Sequence, residues 1–373
     1  MRVVLAGGGT GGHLYPALAI ARGIKQQNPA AEILFIGTSR GLEAQVVPRE
    51  GFPFIPITVQ GLERRFSWRT VVTLAKTLKG LKESWTILRR FSPDLVIGTG
   101  GYVCGPVLYV AHRLGIPTVI HEQNAFPGLT NRWLSRYVDL VLLTFEESKA
   151  YFPGARKIVT TGLPVRPAIM TAERSRAARR WCLDPSKTTL LAVGGSQGAR
   201  SINRAMLAVL KEFYQHPKVQ VIHITGPAGH DQMLRELSEA GLNLEKNGNI
   251  KVAPYVNDME NALAVADLIV CRAGASTLAE ITARGIPAVL VPYPFAANNH
   301  QEFNARVLER AGAAEVILDK ELSGERLLTV LRGIINDRGR LARMAAAARA
   351  AGQPAALQLI LGQLSGIGGN QRK

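Results

Sequence analysis

Two glycine-rich turns carry the densest chemical signal in this 373-residue chain. The first lies in Val3-Val-Leu-Ala-Gly-Gly-Gly-Thr-Gly-Gly-His13, where Gly7, Gly9 and Gly12 satisfy G-x-G-x-x-G. The second lies in Leu190-Leu-Ala-Val-Gly-Gly-Ser-Gln-Gly-Ala199. Each follows a β-rich run and precedes a helical stretch, which offers an anion the free N–H groups of a helix N-terminus. The run after the first turn ends Ile36-Gly-Thr-Ser-Arg40, without the acidic residue that would hold a ribose 2′-hydroxyl. NAD is therefore disfavoured, and Arg40 leaves only a thin opening for NADP. The second turn also fits the G-x-S-x-G nucleophile elbow, and Asp267 and His300 follow Ser196 in triad order. That hydrolase reading leaves the first glycine turn without a purpose, whereas small residues at a helix start serve a phosphate equally well. G-x-x-x-x-G-K-[ST] does not occur, which excludes a P-loop.

The histidines divide by position. His112, His216, His223 and His230 show no ligand spacing and read as surface or structural residues. His13, His121 and His300 each adjoin the C-terminal end of an expected strand, where open α/β sheets bind ligands. No metal cage can be argued from their spacing, and three scattered cysteines (Cys104, Cys182, Cys271) exclude both a disulfide scaffold and a Cys-based zinc site.

The elements that must position these residues form an α/β alternation. Short apolar runs at 3–6, 33–36, 95–97, 118–120, 140–143, 189–193, 219–224, 268–270 and 288–291 alternate with helical stretches, the pattern of parallel sheets. The pattern occurs twice. Asp94-Leu-Val-Ile-Gly-Thr-Gly-Gly leads through a helix to Gly115-Ile-Pro and a strand, and Asp267-Leu-Ile-Val-Cys-Arg-Ala-Gly leads likewise to Gly285-Ile-Pro and a strand. The expected architecture is two Rossmann-like domains facing across a deep cleft: residues 1–162, then 163–352, joined near Gly162-Leu-Pro-Val-Arg-Pro167. After the break at Gly352-Gln-Pro354, a last apolar helix at about 353–366 is expected to return to the first domain.

A 47% hydrophobic content supports real cores and excludes a disordered chain. No secretory leader is evident, and the uncharged run 95–111 is too short and too rich in Gly and Pro to span a bilayer. The formal charge of +17 asks for an anionic partner. Residues 61–91 hold eight Lys and Arg against two Glu, interleaved with Phe66, Trp68 and Trp85. A solvated basic face over a packed helix explains that composition, and so does a surface where Phe66, Trp68 and Trp85 insert while Lys76 and Lys79 meet anionic lipid. Nucleic acid ranks third, since no recognised binding motif accompanies the charge.

Taken together the motifs resemble one family, the MurG family of bacterial N-acetylglucosaminyltransferases, which complete lipid II from lipid I. The matching segments are Gly8-Gly-Thr-Gly-Gly-His13, Gly100-Gly-Tyr-Val103, His121-Glu-Gln-Asn124 with Gly128 and Asn131, Gly194-Gly-Ser-Gln-Gly-Ala199, Arg272-Ala-Gly-Ala-Ser-Thr277 with Glu280, and His300-Gln301 with Asn304-Ala305. They span nearly the whole chain, and their joint order is specific where each alone is weak. One departure is Leu163, where the family usually has Asn before Pro. The resemblance implies a GT-B fold and inverting transfer of GlcNAc from UDP-GlcNAc to the C4 hydroxyl of MurNAc on an undecaprenyl-diphosphate lipid, with no cofactor or metal. It implies donor contacts from Thr10, Gly11, Gly12, Asn124, Arg166, Ser196, Val256, Ala275, Ser276, Thr277, Glu280 and Gln301. Among these, Val256 lies near uracil, Glu280 on the ribose, Arg166 and Ser196 near the diphosphate and Gln301 on the sugar. Gly11, Gly12, His13, Gly100, Gly101 and Tyr102 would face the acceptor diphosphate. It also implies a peripheral location on the cytoplasmic face of the plasma membrane and partners among cell-wall or division proteins.

His13 ends a glycine turn at the edge of the first strand, which suits a general base for the attacking hydroxyl. Binding the acceptor diphosphate as a cation, or packing the turn, are its rival roles. The alternatives to the whole reading are another GT-B glycolipid transferase, the G-x-S-x-G hydrolase, and a nucleotide-sugar or membrane-binding protein without turnover.

Overall fold

The computed structural model describes residues 1–60, 68–244 and 248–368, with side chains from 76 onward in the helix that starts at Trp68. The chain divides into two compact units, Met1–Pro164 together with the C-terminal segment from Ala355, and Val165–Pro354.

The first unit is built on a seven-stranded parallel sheet. Its strands are β1 (Arg2–Gly7), β2 (Glu32–Gly37), β3 (Phe54–Pro56), β4 (Leu95–Gly100), β5 (Thr118–Glu122), β6 (Leu140–Leu143) and β7 (Ile158–Thr160), in the order β3-β2-β1-β4-β5-β6-β7. Val3, Val4, Leu5 and Ala6 are fully buried, because helices cover both faces of the sheet and leave no side for polar residues. The helix Gly11–Gln27 returns on one face with Leu14, Leu18, Ala21 and Ile24 inward, at helical spacing. The helix Ala356–Gly368 adds Ile360, Leu361 and Leu364 to that same core, so the C-terminus closes the first unit.

The second unit has six parallel strands: β8 (Thr188–Val193), β9 (Val219–Ile224), β10 (Ile250–Ala253), β11 (Leu268–Cys271), β12 (Ala288–Leu290) and β13 (Ala314–Val316). Their order is β10-β9-β8-β11-β12-β13. In both units the strand order reverses beside the first strand, between β1 and β4 and between β8 and β11. A crevice opens at such a reversal, at the carboxyl ends of the strands. Both glycine turns stand there.

The duplicated aspartates serve the opposite end. Asp94 Oδ2 accepts the Arg2 N–H at 2.8 Å, and Asp267 Oδ2 accepts the Thr189 N–H at 2.8 Å. Each carboxylate satisfies a backbone donor at the amino edge of its sheet, where a strand would otherwise begin with an unpaired group. The repeat that the sequence shows is thus partly a repeated edge cap.

Candidate active site

In the first unit, β1 runs through residues 7–10 into the helix Gly11–Gln27. Thr10 caps that helix in extended conformation without a side-chain hydrogen bond, and the first turn holds no acidic residue. Its N-terminal N–H groups are therefore open to an anion. The turn is held from below by Glu43, which is buried and accepts from Gly9 N at 3.0 Å, Thr38 N at 2.9 Å and Thr38 Oγ1 at 2.7 Å. Burial alone would raise this carboxyl's pKa. The hydrogen bonds from Gly9 and Thr38 outweigh it and hold the group below the usual carboxylate value.

The second edge of this site is the turn after β4. Gly101 (φ +88°) lies where a Cβ would stand 2.6 Å from the carbonyl oxygen of Gly8, so only glycine lets the two turns meet. Gly100 (φ +114°) lies against the His13 ring, and a Cβ there would stand 2.5 Å from Nδ1. Cys104 is buried beneath, with its thiol pushed up to about 12 by burial and its Sγ near the carbonyls of Ala6 and Gly100. Tyr102 is exposed beside them. The structure thus brings Gly11, Gly12, His13, Gly100, Gly101 and Tyr102 to one end of one sheet.

His13 is half-buried; Thr99 Oγ1 donates to its backbone carbonyl at 2.7 Å, and its Nδ1 lies 3.0 Å from Gln123 Oε1. Gln123 Nε2 lies 3.1 Å from His121 Nδ1 and donates to the His121 carbonyl at 2.8 Å. His121 Nε2 meets the Gly162 carbonyl at 2.9 Å. His121 is fully buried with both ring nitrogens engaged, so it stands behind the site and touches no ligand directly. Glu122 shapes the adjoining loop by accepting from Asn124 N at 2.9 Å, Gly128 N at 3.2 Å and Asn131 Nδ2 at 2.8 Å. That arrangement places Asn124 at the carboxyl end of β5. Leu163 is buried at the end of the unit.

In the second unit, Gly198 (φ +77°) packs so closely on the Thr225 carbonyl that no Cβ fits, which presses the turn onto the next strand's loop. Ser196 is exposed on that turn, ahead of the helix Arg200–Phe213. The triad fails here. Asp267 lies at the amino edge of the sheet, paired with Arg174 at 2.9 Å, while Ser196 follows its carboxyl end. Four strand residues separate the two levels, about 13 Å at strand rise. His300 turns its Nδ1 to the Ala297 carbonyl at 2.8 Å.

The helix Ala275–Arg284 begins after β11 with Gly274 as its cap and no acid in its first turn, so Ala275, Ser276 and Thr277 present open N–H groups. One turn on, Glu280 accepts from Arg166 Nε at 2.9 Å. Burial raises the Glu280 pKa, and the Arg166 charge opposes that rise. Gln301 Oε1 accepts the Tyr293 N–H at 3.0 Å, which ties the helix His300–Arg310 to the segment after β12. Val256 is half-buried in the loop after β10. Sequence reasoning gave Arg272 no role, yet it binds this edge together. Its guanidinium donates to the carbonyls of Val291 and Pro292 at 3.1 Å each, to Asp319 at 2.6 Å and to Ser201 Oγ at 3.0 Å. Glu43 and Gln123 were likewise missed; nothing in the spacing points from either to its partner.

The basic helix Trp68–Phe91 carries an exposed face with Leu78, Lys79, Lys82, Trp85 and Arg89. Lys76 donates to Gln60 at 2.7 Å, Lys79 pairs with Glu83 at 3.8 Å, and the Arg89 guanidinium lies 4.8 Å from the Trp85 ring centre. Phe66 lies outside the described residues, as does the Trp68 side chain. No helix among the described residues is long and apolar enough to cross a membrane.

Comparison with known proteins supplies the family. The glycosyltransferase family 28 N-terminal domain matches residues 3–143, and the family's C-terminal domain matches residues 189–360. The chain belongs to glycosyltransferase family 28. It is 54% identical over 361 residues, 97% of each chain, to the UDP-N-acetylglucosamine--N-acetylmuramyl-(pentapeptide) pyrophosphoryl-undecaprenol N-acetylglucosamine transferase of Moorella thermoacetica. The crystal structure of Acinetobacter baumannii MurG superposes with a TM-score of 0.81 at 31% identity, covering 98% of this chain and 99% of that one. CalG4, the calicheamicin glycosyltransferase, shares the fold at a TM-score of 0.68 and 15% identity, covering 100% of this chain and 99% of that one. This family-28 chain is therefore a MurG-type glycosyltransferase of GT-B fold, with one parallel sheet in each unit.

Proposed function

We propose that this enzyme transfers GlcNAc from UDP-GlcNAc, with inversion, to the C4 hydroxyl of MurNAc in undecaprenyl-diphosphate-linked lipid I, giving lipid II for peptidoglycan. The observation that carries this reading is the 54% identity to a transferase of that name over 97% of both chains, which leaves neither unit of the relative unmatched.

The geometry supports a division of labour. The second unit binds the donor: Glu280 accepts from the ribose hydroxyls, Val256 lies beside uracil, Gln301 meets the sugar, and Arg166, Ser196 and the N-terminus at Ala275–Arg284 receive the diphosphate. As the bond from GlcNAc C1 to the diphosphate breaks, the open N–H groups of Ala275, Ser276 and Thr277 stabilise the charge that grows on UDP. The first unit binds the acceptor, whose diphosphate lies over Gly11 and Gly12 and beside the Gly100–Tyr102 turn. His13 takes the proton from the C4 hydroxyl as its oxygen bonds to C1. Asn124, Thr10 and their neighbours line the same sheet end.

A polyprenyl acceptor stays in its membrane, so the enzyme must meet a lipid surface. The exposed Leu78 and Trp85, set among Lys79, Lys82 and Arg89, provide a basic and apolar face for anionic lipid on the cytoplasmic side of the plasma membrane. The test is incubation with UDP-GlcNAc and a short-chain lipid I analogue. UDP release with formation of the GlcNAc–MurNAc disaccharide supports the reading. UDP release without the disaccharide, or transfer to other glycolipids only, overturns it.

A further inference from the structure

The hydrogen-bonded row His13–Gln123–His121–Gly162 contains two imidazoles and one amide, and their protonation can be worked out from its ends. A carbonyl only accepts, so His121 Nε2, 2.9 Å from the Gly162 oxygen, carries a hydrogen. His121 is fully buried, and burial pushes its pKa down to about 4, so the ring is neutral near pH 7 and its Nδ1 is a bare acceptor. Gln123 Nε2 lies 3.1 Å from that Nδ1 and 2.8 Å from the His121 backbone carbonyl. Both partners accept, so the NH2 end of the amide faces them and spends both hydrogens. The amide oxygen is left facing His13 Nδ1 at 3.0 Å, and it too can only accept. His13 Nδ1 must then carry a hydrogen, and the lone pair of the neutral ring resides on Nε2.

We propose that Gln123 and His121 are positioning residues that hold His13 as its Nδ1–H tautomer and so make Nε2 the basic nitrogen. The catalytic value of this rests on the reading of His13 as the base. A free imidazole favours the opposite tautomer, with hydrogen on Nε2, so the row reverses an intrinsic preference. When the substrate O–H bond breaks, its proton bonds to Nε2. The Nδ1–H···Oε1 bond persists throughout, so neither Gln123 nor His121 has to reorient during the step. The Gly100 backbone against the ring and the Thr99 bond to the His13 carbonyl keep the imidazole in line with Gln123. The row ends on Gly162, two residues before this stretch of the first unit ends at Pro164, so the proton position depends on that backbone being in place.

The test is a long-range 1H–15N spectrum of the full-length protein labelled with 15N-histidine, with His13 assigned by its loss in His13→Gln. The expected spectrum shows a protonated Nδ1 and a bare Nε2 for His13. Gln123→Met should return His13 to the Nε2–H form and lower kcat by up to about 10⁴-fold, the loss for a base held in the wrong tautomer, with the UDP-GlcNAc KM held within about twofold. A wild-type His13 with hydrogen on Nε2 overturns the proposal, whatever the variants do. So does an unchanged Nδ1–H signal in folded Gln123→Met. Failure of the base reading is visible separately, as full activity in His13→Ala, and the tautomer spectrum is unaffected by it.

Discussion

Arg166 and Glu280 are joined across 114 residues by a hydrogen bond of 2.9 Å, so the two side chains expected at different parts of the donor form one paired unit. Arg166 engages Glu280 Oε1, and in the proposed reading Oε2 would accept from the ribose. Glu280→Ala should weaken UDP binding by about 1.5–3 kcal/mol, the range for a hydrogen bond to a charged group. Arg166 is half-exposed, so water solvates the guanidinium that the substitution strands, and little of the loss comes from that side. The penalty should shrink for 2′-deoxy-UDP. Equal losses for both nucleotides, measured by calorimetry, would remove Glu280 from the ribose.

The same carboxylate gives donor binding a pH dependence. Burial raises the Glu280 pKa above its usual 4.5, partly opposed by Arg166. Ribose hydroxyls that donate to Glu280 would bond more strongly to the ionised form, and protonation turns one carboxylate oxygen into a donor and leaves a weaker acceptor. UDP affinity should therefore fall as the solution is acidified, at a higher pH than an ordinary carboxylate of pKa 4.5 would give. Glu280→Gln should bind more weakly and lose that acid dependence.

Glu43 has the reverse sign. Its folded-state pKa is lowered, so its contribution to stability is present above the unfolded value of 4.5 and is lost as pH falls through the folded one. Glu43→Gln places an NH2 group against the N–H of Gly9 or Thr38 and should cost about 1–3 kcal/mol at pH 7. Thermal melts of both proteins should converge as the pH drops below 4.5. Equal melting temperatures at pH 7 would show that the glycine turn does not depend on this carboxylate.

The apolar runs show which part of such a fold a sequence reveals. All nine runs read as strands are strands, and the four that escaped notice are β3, β7, β10 and β13, the two edges of each sheet. Edge strands here have three or four residues and are largely half-exposed, so they need no continuous apolar run. The turns at the sheet ends were legible for the opposite reason, since close backbone approach demands glycine at fixed spacing. Pairings across the fold were not. The contact between His13 and Gln123 spans 110 residues, and that between Gly9 and Glu43 spans 34. Strand order creates both, and no local spacing encodes strand order. The aspartate of the supposed triad misled because composition shows that an Asp precedes β11 but not that it faces the far edge of the sheet.

The basic helix predicts a lipid preference. Leu78 and Trp85 are seven residues apart and share one exposed face with Lys82 and Arg89. Each basic residue near an anionic surface contributes about 1 kcal/mol, screened by salt. Sedimentation should find more protein on vesicles with anionic lipid than on neutral ones, with less at high salt. Lys82→Glu should weaken that binding, and Trp85→Ala should weaken what salt leaves. Equal binding to both vesicle types would count against the patch.

The role proposed for His13 sets how the first unit would take part in the reaction. A base contributes only while the hydroxyl proton is moving, an effect of about 10²–10⁴ in rate, and gives nothing to donor binding. His13→Ala should therefore lose kcat on that scale while UDP-GlcNAc affinity stays near normal. A histidine that served as a cation for the acceptor diphosphate would instead raise the acceptor KM and spare most of kcat. A histidine that only packs the turn would lower stability with full activity in the folded fraction, because Gly100 and Thr99 hold its ring and carbonyl from one side. Steady-state kinetics with both substrates varied, alongside a thermal melt of the same sample, separates the three. The base is excluded if kcat survives the substitution.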